Sequence, residues 1–228
     1  MTLVIGDITI SLDGFVTGPG ADPQHGLGRD ADGLHAWAID SADPVDRGVL
    51  QRHTAASGAV VMGRRTFDTV DGAWSAERGY GADQDGRPAF FVVTSRAPAS
   101  HRLADSHDFT FVLDGPAAAI EQARTAAGDR NVFIMGGGAL IGSCLHDGLL
   151  DELRLHLSPE VLGAGTPLFA GVGRHRLTQT SVEVSPVCTH LTYRVASGER
   201  PQPYQVTIPS ERSSGAGVSC GTTAIARS

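Results

Sequence analysis

The chain opens on an apolar, β-branched run, LVIGDITI at residues 3–10, which reads as a strand that the turn formers Ser11 to Gly14 then break. The signature of a buried strand returns at 59–62 (AVVM), 89–94 (AFFVVT) and 132–135 (VFIM), with a weaker copy at 110–113 (TFVL). Helical stretches lie between these runs. One starts at Asp32 or Gly33 and holds His35, Trp37 and Ile39. A second starts at Asp43, with Pro44 suited to the first helical position and Val45 and Val49 on one face. RRTFDTV follows the second strand, residues 116–127 form a helix that Gly128 ends, and residues 139–146 form another.

Alternating strands and helices predict a mainly parallel sheet covered on both faces. After His146 the pattern changes: residues 153–157, 177–184 and 189–195 read as strands with no helix between them. They predict an antiparallel addition whose hairpin turns near Ser185-Pro186. The Gly/Pro/Asp-rich stretch 17–33 reads as a long mobile connection and 71–88 as a surface loop. From residue 197 onward Ser, Gly, Thr and Pro dominate without apolar periodicity, so the expected domain is 1–196 and the expected disordered tail is 197–228.

Composition narrows the partners. A chain of 228 residues with 41% hydrophobic residues suits one substantial core, and a net charge of -7 argues against a nucleic-acid surface. The N-terminus lacks a basic start and a continuous apolar stretch, and no later run is long enough to span a bilayer, so the expected location is cytoplasmic. Cys144, Cys188 and Cys220 are widely spaced without a C-x-x-C pair, and the histidines show no metal-ligand spacing, so neither a disulfide framework nor a metal site is expected.

Three segments carry candidate chemistry. VFIMGGGALI runs a strand through Gly136, Gly137 and Gly138 into a helix, which serves either a phosphate or a structural turn. It matches neither G-x-G-x-x-G, because Ile141 stands in the last position, nor a Walker A loop, because the lysine is missing. VVMGRRTFD repeats the strand-glycine-helix order with Arg64, Arg65 and Thr66 at the helix start, and FVVTSR ends a strand in Thr94, Ser95 and Arg96. Arginine suits an anion through planar, paired contacts. All three segments leave the carboxyl ends of expected parallel strands, where open α/β sheets bind ligands.

In that order, and after a strand ending SLDGFVTG, these motifs resemble the dihydrofolate reductase superfamily. The later LDELRLHLSPEVLGAGTPLF is similar to the branch containing the reductase domain of the bifunctional riboflavin-biosynthesis deaminase-reductase, although the zinc deaminase signature H-x-E…P-C-x-x-C is absent. The resemblance implies a dihydrofolate reductase-like α/β fold of three layers, with a mainly parallel sheet and a C-terminal antiparallel hairpin. It also implies NADPH as cofactor and a homodimer. By position, Gly63, Arg64, Arg65 and Thr66 would hold cofactor phosphates, and Thr94, Ser95 and Arg96 would surround the 2′-phosphate. Gly136, Gly137 and Gly138, with Ala139 and Leu140 opening the helix, would meet the pyrophosphate.

Asp32 is the nearest candidate for the carboxylate that holds a pterin ring, with a helix cap as its alternative reading. His156 falls where dihydrofolate reductases carry a threonine near the pterin. Strand alternation places it with Arg154, opposite Leu153, Leu155 and Leu157. It is a candidate to orient substrate or donate a proton, or else a structural histidine. The expected activity is an NADPH-dependent reductase passing hydride to a small heteroaromatic or conjugated substrate. The alternative is a nucleotide-binding module of the same fold without reductase activity.

Overall fold

The computed structural model describes residues 2–75, 77, 79–80 and 87–196. The expected tail, 197–228, and part of the 71–88 loop lie outside the described residues. The first half of the chain gives β1 (Val4–Ser11), β2 (Phe15–Thr17), a 3₁₀ turn (Asp32–His35), α1 (Ala36–Ile39), α2 (Pro44–Ala56), β3 (Ser57–Gly63), α3 (Arg64–Ala73) and β4 (Ala89–Val93). Then come β5 (Phe109–Val112), α4 (Gly115–Ala127), β6 (Asn131–Gly136), α5 (Gly138–His146), β7 (Glu152–Ser158), β8 (Thr166–Pro167), β9 (Leu177–Val184) and β10 (Thr189–Val195).

Eight strands form one sheet in the order β5-β4-β3-β6-β1-β7-β10-β9, and β2 pairs with β8 in a small second sheet. Neighbours from β5 through β7 run parallel, whereas β10 is antiparallel to both β7 and β9. This is the expected α/β fold: the parallel part is the run of strand-helix units, and β9 and β10 form the hairpin, closed where Ser185 N–H donates to the Cys188 carbonyl at 2.9 Å.

Strand alternation sorts the core into layers. Ile8 and Ile10 of β1, Val61 of β3 and Ile134 of β6 pack with Ile120 and Ala123 of α4 and Ile141 and Leu145 of α5. The intervening residues Val60 and Met62 face the other way, with Phe90, against Phe67 and Val70 of α3. On that second face Trp37 of α1 and Val49 of α2 pack with Cys188. Helix ends follow local chemistry: Asp43 caps α2 by accepting from Val45 N–H at 2.8 Å, and Gly128, at φ +60, ends α4. The 3₁₀ turn and α1 replace the single helix expected from Asp32. β2 and β8, each three residues or fewer, lie beyond any periodicity signal.

Candidate active site

β3 and β6 are parallel neighbours, and each passes through a glycine into a helix on leaving the sheet. The starts of α3 and α5 therefore stand side by side, and neither is capped by a side chain. Unsatisfied N–H groups and two helix dipoles make such a crevice attractive to an anion.

The glycines here have different reasons to be glycine. Gly136 sits at φ +125, a backbone conformation that side chains disfavour, and the Gly136–Gly137 peptide bond is cis. A Cβ on Gly138 would lie 2.7 Å from a Val16 methyl, so β2 excludes one there. Gly63 and Gly137 differ. Their φ angles, -81 and -74, suit any residue. A Cβ on Gly63 would meet nothing closer than Gly137 N at 3.8 Å, and one on Gly137 only Thr66 Oγ1 at 3.3 Å. The chain's own packing leaves Gly63 open to a side chain that would fill the crevice, whereas a Cβ on Gly137 would press on Thr66 Oγ1, which would have to give by a few tenths of an ångström.

The crevice has a cationic rim. Arg64 donates from Nε to Asp68 at 2.7 Å and from Nη1 to the Arg96 carbonyl at 2.7 Å, drawing the loop after β4 onto the start of α3. Buried Thr94 tightens that loop: its hydroxyl donates to the Arg96 carbonyl at 2.9 Å and accepts from Arg96 N–H at 3.2 Å. Ser95, Arg96, Arg65 and Ala139 are exposed, while Leu140 points its side chain into the core.

A buried polar row lies on the face that α1 and α2 cover. Asp46 of α2 accepts from the Ser41 hydroxyl and pairs with His190 Nε2 at 2.8 Å. His190 Nδ1 then lies 2.8 Å from His156 Nδ1, and His156 Nε2 lies 2.9 Å from Asp7 Oδ1. His53 of α2 brings Nδ1 to 2.9 Å from the other Asp7 oxygen, without the alignment of a hydrogen bond. Trp37 lies over His156, ring centroids 4.1 Å apart, and its Nε1 donates to Thr9 at 2.9 Å.

The ionisable groups are tuned by this packing. Burial raises the Asp7 carboxyl, but the charge and hydrogen bond of His156 outweigh it and hold Asp7 well below the usual range. Asp46 is lowered in the same way, burial being opposed by Ser41 and His190. Burial pushes His190 down, and pushes His35 down to about 4 with His156 adding to the effect.

His156 is 1% exposed, with Nδ1 against His190 and Nε2 against Asp7, so it does not reach an organic ligand directly. Asp32 does not join it. Asp32 is exposed at the first residue of the 3₁₀ turn and is not a cap, since Ala31 holds that place. The carboxylate beside His156 is Asp7, whose signal in the sequence is a charge inside an apolar strand. Cys144 and Cys188 are free and buried, burial pushing each thiol up to about 12; Cys220 lies outside the described residues.

Two outcomes follow. Asp46→Ala strips the acceptor from Ser41 and His190 in a dry site and is expected to cost about 3 kcal/mol, read by urea unfolding at pH 7. An unfolded imidazole takes a proton near pH 6.5, while folded His35 refuses it until about 4. The folded state therefore loses stability as pH falls between those values. Melting temperatures should drop across that window, less steeply in His35→Gln; an identical slope would assign the drop to other groups such as His190.

Among the described residues no helix is long and apolar enough to cross a membrane. An uncharacterized Bacillus subtilis protein, YyaP, is 25% identical over 173 residues, covering 74% of this chain and 81% of its own. A putative riboflavin biosynthesis protein from Shewanella sp. PV-4 superposes with a TM-score of 0.60 at 24% identity, over 86% of this chain and 99% of that one. A Corynebacterium diphtheriae pyrimidine reductase-like protein gives 0.57 at 16% identity, over 86% and 92%. A Thermotoga maritima diaminohydroxyphosphoribosylaminopyrimidine deaminase/5-amino-6-(5-phosphoribosylamino)uracil reductase gives 0.60 at 13% identity; 86% of this chain matches 57% of that one. The three structures share this fold, and the family model for the RibD C-terminal domain matches residues 2–191. The chain belongs to the RibD C-terminal domain family.

Proposed function

We propose that the protein is an NADPH-dependent reductase of a small heteroaromatic or conjugated substrate of pterin or pyrimidinone type. The observation that carries this reading is Gly63, a glycine that neither its dihedral angle nor its packing requires, facing Gly137 between two uncapped helix starts. A phosphate seated there needs backbone approach, which a Cβ at either position obstructs. Membership of the RibD C-terminal domain family and the likeness to a deaminase/reductase and a pyrimidine reductase-like protein support the same activity.

When bound, NADPH supplies the hydride. The chain's residues bind and orient it: the N–H groups opening α3 and α5 take the pyrophosphate, Thr66 adds a hydroxyl, and Arg96 with Ser95 meets the 2′-phosphate. Arg64, already committed to Asp68 and the Arg96 carbonyl, holds that loop in place. The substrate half draws on Asp7 and His53, the partly exposed members of the polar row. A nucleotide-binding module without turnover is the second reading, favoured by the exposed Asp32 and the sealed His156. It predicts NADPH binding without oxidation by any pterin or pyrimidinone.

Gly63→Ser places a good helix cap where space is open, so stability should hold or rise slightly while NADPH affinity falls at least tenfold. Unchanged affinity in a calorimetric titration would remove the cofactor from this crevice. Arg96→Ala, on an exposed side chain, should weaken NADPH at least tenfold and NADH hardly at all; equal losses would remove the 2′-phosphate assignment.

A further inference from the structure

With both of its imidazoles neutral, the polar row needs one further positive charge. If the His190 Nε2–H donates to Asp46, its Nδ1 has only a lone pair and must accept from His156 Nδ1–H. A neutral His156 then turns the lone pair of Nε2 toward Asp7 Oδ1, 2.9 Å away, so acceptor faces acceptor. Something positive has to lie between them. A third proton would serve for that pair alone, but it leaves the neighbouring contact unexplained. Asp7 Oδ2 and His53 Nδ1 lie 2.9 Å apart and buried, yet neither has a hydrogen-bond partner.

We propose that Asp7, His53 and His156 bind a divalent transition-metal ion of the zinc type, with at least one coordination position open. The three residues come from β1, α2 and β7, and their donor atoms lie within 4.8 Å of one another. One carboxylate and two imidazoles are a donor set such ions favour. Zinc bonds of 2.0–2.1 Å set neighbouring ligand atoms about 3.3 Å apart, so the two 2.9 Å contacts would open by a few tenths of an ångström and the two imidazole nitrogens would come to that spacing from a separation of at most 4.8 Å.

The surroundings fit as well. A metal lets both rings of the row stay neutral, with His156 donating to His190 and His190 to Asp46, which also accepts from the Ser41 hydroxyl. Hydrogen-bonded support of this kind fixes a ligating imidazole's tautomer and orientation. Trp37 and Phe133 wall the site with apolar surface, and Asp7 and His53, with 19% and 15% side-chain exposure, are its outermost members. The sequence hides the group because its members are 46 and 103 residues apart. The proposal does not depend on the reductase reading.

The test is titration of tag-free, chelator-stripped full chain with Co2+, read by visible absorption, and with Zn2+, read by calorimetry. One equivalent per chain is expected, with the intense visible bands of four- or five-coordinate cobalt. His53→Ala and His53→Gln, each first shown to be folded by circular dichroism, should cut affinity at least tenfold. His25→Ala, removing an exposed histidine paired with Asp22, should change nothing. Absence of saturable binding, binding with only the pale spectrum of octahedral cobalt, or binding that survives both His53 variants would each overturn the site and leave a proton as the row's cation.

Discussion

Two parallel strands that lie side by side and both turn into helices must leave two helix starts at one edge of the sheet, with their N–H groups unsatisfied. Here β3 and β6 meet that constraint without resolving it internally, because glycine rather than Ser, Thr, Asp or Asn stands at both N-caps. The neighbouring loop is then fastened by Thr94 and by Arg64, so that Arg96 is presented beside the same crevice. A fold optimised only for its own stability would cap these helices. The open crevice is consistent with selection for a ligand that completes it.

The second face solves a different problem. Asp7, Asp46, His156 and His190 are charged or polar groups taken largely out of water, and such groups destabilise a core unless each finds a partner. The chain answers with a continuous row from Ser41 to Asp7, closed over by Trp37. The row ends at the partly exposed pair Asp7 and His53, which is where its chemistry reaches solvent. The two regions share β1 and its neighbours: β6 delivers Gly136 to the crevice, and β7, on the other side of β1, delivers His156 to the row.

Much of the fold was legible because local and long-range signals agree. The strands at β3, β4 and β6 are short apolar runs, Asp43-Pro44 marks a helix start, and the limits of β9 and β10 coincide with those read from alternation. The anion edge was legible for the same reason, since strand, glycine and helix are consecutive in sequence. The reasons for individual glycines were not, as Val16 approaches Gly138 from the two residues left between the turn at Ser11 to Gly14 and the connection that begins at residue 17. The polar row was hidden further, because its contacts join residues separated by 34 to 149 positions. Asp32 drew attention by its place in the chain, whereas Asp7 lay inside a run whose apolar character concealed it.

The most direct measurement is a fluorescence titration of the unmodified protein with NADPH and, separately, with NADH. Saturable binding of both, with NADPH clearly tighter, is the result that the paired helix starts and the Arg96 rim predict. Binding of neither nucleotide would mean that Gly63 and Gly137 are N-caps and nothing more, and would contradict the reductase reading at its base.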